Sequence, residues 1–235
     1  MNKLFLMAVL IAIALSSCKK DSAPKPTCKI ITVTLVPSGG GTTTYNYSYN
    51  SEGKLSTSSS GLYSTTFSYS GNTVIESNTH GGVFESKEII TLNANGLASN
   101  VKTENNETGT LWDNTVFEYS GTELIKSTDT NSAGDPVVVT TFTWSGGNLV
   151  SITTGSSTST LVYYTDKPAQ TGDYVSFLQL LFGFEIYRVK NAIKSSGEGS
   201  AITSYSYSYD TDGKIASMTV TGNSTSTFNY QYQCN

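Results

Sequence analysis

The chain has 235 residues, only 14% of them charged, and carries a formal net charge of -4 with a pI near 5.0. This mild acidity, with no basic cluster to follow a phosphate backbone, excludes a nucleic-acid partner. Fifteen tyrosines and nine phenylalanines exclude a disordered chain, which lacks aromatics, although serine and threonine are the commonest residues.

The first element is a targeting segment. Met1-Asn2-Lys3 is a short positive start, Leu4 to Leu15 is apolar and uncharged, and Ser16-Ser17 are small residues before Cys18. About a dozen apolar residues are too few for a comfortable membrane span. "LSSC" resembles a bacterial lipobox, which implies cleavage before Cys18 and attachment of lipid to its sulfur. The expectation is therefore a lipoprotein signal at 1–17. A polar tether follows at 18–27, where "KKDSAPKPT" contains two prolines and no periodicity. Extended, those roughly nine residues reach ~30 Å from the membrane. A single β-repeat domain is expected over 28–235.

Cys28 opens that domain and Cys234 is the penultimate residue. With Cys18 lipidated, an even pair remains in an oxidising compartment. A disulfide tying the first strand to the last is the favoured reading, with two unpaired thiols as the alternative.

Between the two cysteines one unit recurs: alternating aromatics, a turn with glycine, then Leu, Val or Ile. Copies begin at Tyr45, Phe67, Ile90, Phe117, Phe142 and Tyr205, and Gly71, Gly96, Gly121 and Gly146 stand 25 residues apart. Tyr45, Tyr47 and Tyr49 face one way while Asn46 and Ser48 face the other, the mark of a half-buried strand. Each unit reads as a β-hairpin whose glycine supplies positive φ. "YSYDTDGKIASM" (207–218) also suggests a calcium loop. It offers two carboxylates where six to eight oxygens are needed, and Lys214 follows them, so the turn reading prevails and no metal is expected. A weaker copy from Leu161 places Asp166-Lys167 at a turn.

Hairpins of this size give about 14 to 16 strands in one antiparallel meander, too many for an open sheet, so it must curl into a barrel or half-barrel. A barrel that wide cannot be filled by its own side chains. The candidate filler is 171–195, the one stretch with helix character. Asp173 can cap it, Phe177, Leu178, Leu181 and Phe182 form a stripe, and Gly183 ends or bends it. The fold expected is all-β with one short helical insertion.

The "YxYDxxGKI" unit resembles the YD repeats of RHS and teneurin shells. More of the chain, 28 to 234, resembles a family of Bacteroidota lipoproteins with a domain of unknown function, described as porin-like. The matching features are the lipobox, the early and late cysteines, the hairpin units, "YTDKPA" (164–169), the helical insertion and "KNAIKS" (190–195). The resemblance implies an outer-membrane lipoprotein, periplasmic or surface-exposed, and implies no activity.

Catalytic constellations are absent from the sequence. His80 and Arg188 are the only residues of their types, and no nucleophile motif stands near the histidine. Carboxylate pairs for glycan cleavage could be assembled from Glu85, Glu88, Glu104, Glu118 or Asp113, whose separation is invisible here. The expectation is a non-enzymatic binding or structural module without cofactor, held to membrane lipid through Cys18, with a glycan or protein ligand unspecified. A glycan-binding or glycan-processing accessory role is the alternative. Trp112 is the candidate stacking residue, whereas Trp144 occupies the repeat's aromatic position and reads as core. Tyrosines filling strand middles, with serine and threonine opposite, argue against strands that face lipid.

Overall fold

The computed structural model describes residues 27–234. The signal, Cys18 and the tether up to residue 26 lie outside the described residues. Sixteen antiparallel strands follow one another around a closed barrel, each paired with its sequence neighbour and β1 (Cys28–Pro37) with β16 (Thr225–Cys234). The expected curl is thus a full closure, which removes every sheet edge. Cys28 and Cys234 face each other across the closing pair and form a disulfide spanning 206 residues.

Gly71, Gly96, Gly121 and Gly146 have φ of 60°, 75°, 64° and 59° and turn hairpins at the same end of the barrel. The turns lock themselves. Asn50 Oδ1 accepts from the amides of Glu52 and Lys54, Asn93 Oδ1 from Asn95 and Leu97, and Asp210 Oδ1 from Asp212 and Lys214. Lys214 Nζ closes on both Asp210 and Asp212. The aspartates at 210–213 are therefore turn chemistry.

Most of these hairpins carry a β-bulge just after the turn, where a residue such as Leu55, Ala98, Leu124, Leu149 or Ile215 begins the return arm. A bulge disrupts the ladder locally and leaves a group unpaired. Seven side chains from even-numbered strands donate to a carbonyl at a bulge of the preceding strand, over 2.6 to 2.9 Å. They are Tyr49 to Ile30, Tyr69 to Leu55, Tyr119 to Ala98, Trp144 to Leu124, Tyr163 to Leu149, Tyr207 to Ile193 and Tyr232 to Ile215. The exception fits the rule. β4 (Tyr63–Ser70) and β5 (Thr73–His80) pair without a bulge, and the matching position on β6 (Val83–Leu92) is Leu92, which has no hydrogen to donate.

The segment between β12 (Ser157–Pro168) and β13 (Asn191–Glu198) plugs this same end. Helix α1 (Tyr174–Phe182) has Asp173 as N-cap, accepting from the Ser176 amide at 2.9 Å, and Gly183 as left-handed C-cap. Val175 and Phe177 are buried, and Tyr174 and Leu180 pack beside them on the barrel core. Tyr174 meets Tyr205 at 4.5 Å between ring centres, and Phe177 meets Phe228 at 4.7 Å. Two expectations change. Leu181 and Phe182 are exposed, because the two-turn helix dips only its N-terminal part into the barrel. Asp166-Lys167 make no turn, because β12 runs through them to Pro168 before the chain enters the plug. Backbone bonds from Ala98 N to Glu185 O and from Lys190 N to Gly147 O lash the plug to the hairpin turns.

Two outcomes are expected in urea melts. Tyr207→Phe, which strands the buried Ile193 carbonyl, lowers stability by about 1–3 kcal/mol. Reducing the disulfide lowers it by up to about 5 kcal/mol, the loop-closure figure for a separation of 206 residues.

Candidate functional site: a polar cup inside the barrel

Register shows which side chains face inward. Partners across a ladder share a face, so the inner face passes from Tyr47 to Ser58, to Thr65, to Asn78, to Ser86, and similarly from Phe67 to Glu76 to Glu88 to Thr103. The inner face thus has two halves. Toward the plug it is aromatic and aliphatic: Val33, Tyr47, Phe67, Val74, Ile90, Leu149, Tyr207, Met218 and Tyr230 are buried around α1. Toward the other end it turns to hydroxyls, amides and carboxylates, and no plug segment follows it there. A cavity of 630 Å³ at this mouth is lined by Thr43, Tyr45, Ser60, Tyr63 and His80 among others, with the His80 and Tyr63 rings stacked at 4.4 Å.

Strand charges are sorted by face. Glu76, Glu88, Asp113 and Asp129 fall on the inner face. Lys29, Lys87, Lys102 and Lys126 fall on the outer one. There Lys87 and Lys102 bracket Glu104 at 3.3 and 2.9 Å, and Lys126 meets Glu118 at 2.6 Å. Asp129 accepts from Thr115 Oγ1 at 2.6 Å and Asp113 from Asn105 Nδ2 at 2.7 Å.

Glu76 is the unusual member of the inner set. It is 6% exposed, and its Oε2 has no hydrogen-bond partner. Phe67 sits opposite it on β4 and Glu88 opposite it on β6. Burial, and then the charge of Glu88, push its carboxyl up to about 8, against a weaker opposing pull from Asn78. Burial also raises Glu88. Asn78 is itself held, accepting from Thr65 Oγ1 at 2.6 Å and donating to Ser86 Oγ at 3.1 Å. The Tyr47 and Tyr230 hydroxyls are two further buried inner-face atoms without a partner.

Of the residues singled out from sequence, Glu88 and Asp113 lie on the inner face, and Glu104 and Glu118 are engaged with lysines outside. Trp144 is core, its Nε1 donating to the Leu124 carbonyl and its ring edge-on to Tyr187 at 6.3 Å. Trp112 pairs with Glu104 on the outer wall, half-buried and away from the cup. Glu76 was not singled out. Its signal was present in "VIES", where Val74 and Glu76 share a face because side chains alternate.

Outside, the wall is lined by hydroxyl ladders such as Ser208–Ser217 at 2.7 Å, Thr153–Thr158 at 3.0 Å and Thr219–Thr227 at 3.3 Å, with single valines such as Val116 and Val162 between. Large exposed apolar residues gather at the mouth: Leu62, Val83, Leu111, Val137 and Ile202 sit in or beside its turns.

Solved structures share this architecture, among them two porin-like proteins. A porin-like protein from Bacteroides uniformis ATCC 8492 aligns with a TM-score of 0.65 at 17% identity, covering 87% of this chain and 98% of that one. A porin-like protein from Bacteroides vulgatus ATCC 8482 aligns with a TM-score of 0.62 at 15% identity, with the same coverage. The likeness is one of fold. No protein-family model matches the sequence, and no curated protein matches it significantly.

The inner carboxylate pair has a pH signature. Glu76 binds its proton more tightly folded than unfolded, so the folded state is favoured below its unfolded pKa of about 4.5 and loses that advantage as pH rises toward about 8. Glu88 and the Tyr69 phenol are the ionisable groups facing it. Glu76→Gln is expected to melt progressively higher than the wild type across that window, by thermal scans at stepped pH. A constant gap would show that Glu76 stays ionised.

Proposed function

We propose that this protein is a lipid-anchored cell-envelope module, tethered through Cys18 to the outer membrane, that serves as a non-enzymatic receptacle. The observation that carries this reading is the distribution of polarity. A barrel that spans a bilayer turns an apolar band outward. This one turns serine, threonine and ion pairs outward and keeps its aromatic belt for the plug. Its wall suits water, which leaves attachment to a lipid on the tether. The lipobox, the resemblance to Bacteroidota lipoproteins and the porin-like neighbours from Bacteroides all support the envelope as its place.

The proposed ligand enters the cup, where hydroxyls, amides and carboxylates suit the hydrogen bonds of a glycan and the Tyr63–His80 stack suits a sugar face. A glycan-processing role is the second reading, and the observation favouring it is Glu76. A carboxyl kept protonated near neutral pH, beside a second carboxylate, is the acid component such chemistry uses.

Cys18→Ser should release the protein from the membrane fraction, and mass spectrometry of the wild-type N-terminus should show lipid on Cys18. Membrane retention of the variant at the wild-type level would remove the anchor from this reading. Protease treatment of intact cells separates a surface position, where the protein is cut, from a periplasmic one. On a glycan array, Trp112→Ala should keep any signal the wild type gives. Loss of signal would move the ligand from the cup to the outer wall.

A further inference from the structure

We infer that the barrel lumen binds a primary ammonium group, carried by a small amine or an amino sugar, between Glu76 and Glu88. The inference rests on the receptacle reading above and names the chemistry that the receptacle selects. Four observations support it.

First, Glu76 and Glu88 stand directly opposite on adjacent strands, which places their Cβ atoms about 4.5–5.5 Å apart. Two negative charges so placed repel, and a cation between them would relieve the repulsion that otherwise helps keep a proton on Glu76. Second, Glu76 Oε2 is buried without a partner. An unmet buried acceptor is a cost that the rest of the lumen leaves unanswered, and a ligand N–H would answer it.

Third, the surroundings suit an ammonium more than a metal ion. No group of three or more metal-type side chains gathers among the described residues. An ammonium needs fewer ligands: three acceptors for its N–H donors, with the two carboxylates supplying two and Thr103, the inner-face partner of Glu88, offering a hydroxyl. The ring of Phe67 on the other side of Glu76 adds a face that attracts cations. Fourth, the charge sorting leaves the inner face negative. Lys29, Lys87, Lys102 and Lys126 point outward, Lys167 of β12 stands 4.0 Å from the Tyr164 ring centre, and among the described residues no ion pair joins Glu76 or Glu88 to a protein cation.

The proposed approach is from the mouth. His80 lines the 630 Å³ cavity and lies four residues from Glu76 on the same face of β5, about 13 Å along the strand. Glu88 is only half-buried.

The test is calorimetric titration of the full-length protein in detergent with putrescine, a glucosamine dimer, the N-acetylated form of that dimer, and calcium chloride. At least one amine probe is expected to bind. The N-acetylated dimer, identical but for its neutral nitrogen, is expected to bind about tenfold more weakly or not at all. Glu88→Gln and Glu76→Gln, each shown to melt cooperatively, are expected to weaken the amine about tenfold or more. Binding of both putrescine and the glucosamine dimer would mean that the ammonium suffices, and binding of the dimer alone that the sugar frame is also read. Failure of both amines, equal binding of the N-acetylated dimer, heat from calcium alone, or folded Gln variants that bind as the wild type would each overturn the inference. Equal binding of the neutral dimer would leave the receptacle standing and remove only its ammonium selectivity, while the Cys18 fractionation reports on the anchor independently.

Discussion

The structure depends on one constraint: the bulges that let the sheet coil at the plugged end free carbonyls, and those carbonyls must find donors. Bulges re-aim a strand and increase local twist, which a wide sheet needs in order to close. Here most of them sit near one end of the barrel, typically just after its turns, whereas the one between Asn78 and Thr79 lies toward the mouth. The donor comes from the next aromatic arm, six times a tyrosine hydroxyl and once the Trp144 indole. Because the donor must reach inward across a strand, a phenylalanine of the same shape would not serve. Leu92, placed where no bulge precedes it, shows that the aromatic follows the bulge rather than the strand.

That constraint also decides where the barrel is closed off. The donors form a ring of aromatic bodies at the turn end, and an apolar ring of this width needs a filler. The plug answers it and uses the same groups. The Tyr119 hydroxyl, bound to Ala98, also lies 2.8 Å from the Ile186 carbonyl, and Tyr232 lies 3.3 Å from the Thr171 carbonyl. Gly172 and Gly183 are where the fit is tightest. A Cβ at Gly183 would overlap the Phe67 ring, and one at Gly172 would come within 2.6 Å of the Tyr232 hydroxyl. The other half of the barrel has few bulges and no such ring, so its inner positions are free to carry carboxylates and hydroxyls. Floor and cup are two consequences of one asymmetry between the ends.

Much of this was legible in the sequence because it is local. Period-two alternation, the turn glycines, the Asp173 cap and the Gly183 stop are each written within a few residues. The curl followed from strand count, which left barrel and half-barrel both open, and the cysteine pair from parity and compartment. What was not legible depends on register. Tyr205, Tyr207 and Tyr209 announce an aromatic face, but not that the Tyr207 hydroxyl meets a carbonyl fourteen residues away, at Ile193. Asp166-Lys167 resembled a turn because its residue types are turn formers, yet β12 extends through them. For Glu76 the alternation in "VIES" sets it on the face of Val74 without telling which face that is. Only its pairing with Phe67 on one side and Glu88 on the other shows that it points inward. Trp112 drew attention by rarity, and rarity does not report on which face a strand residue falls.

The position of the chain's start bears on how the cup is presented. Cys28 lies beside Tyr49, Leu55 and the plug residues Ser176 and Gln179, so the described chain begins at the plugged end. On the proposed anchor, the tether leaves from that end, and the mouth with its apolar turns lies across the barrel from the lipid. Reversing the barrel would require the tether to run the full height of the wall, and strands of eight or nine residues are about as long as its own extended reach. Such a reversal would hold nearly every tether residue extended, at roughly 1–2 kcal/mol of backbone entropy each. On that proposal the shorter path for 18–27 has the mouth open away from the membrane, with the acidic cup turned toward whatever diffuses past it.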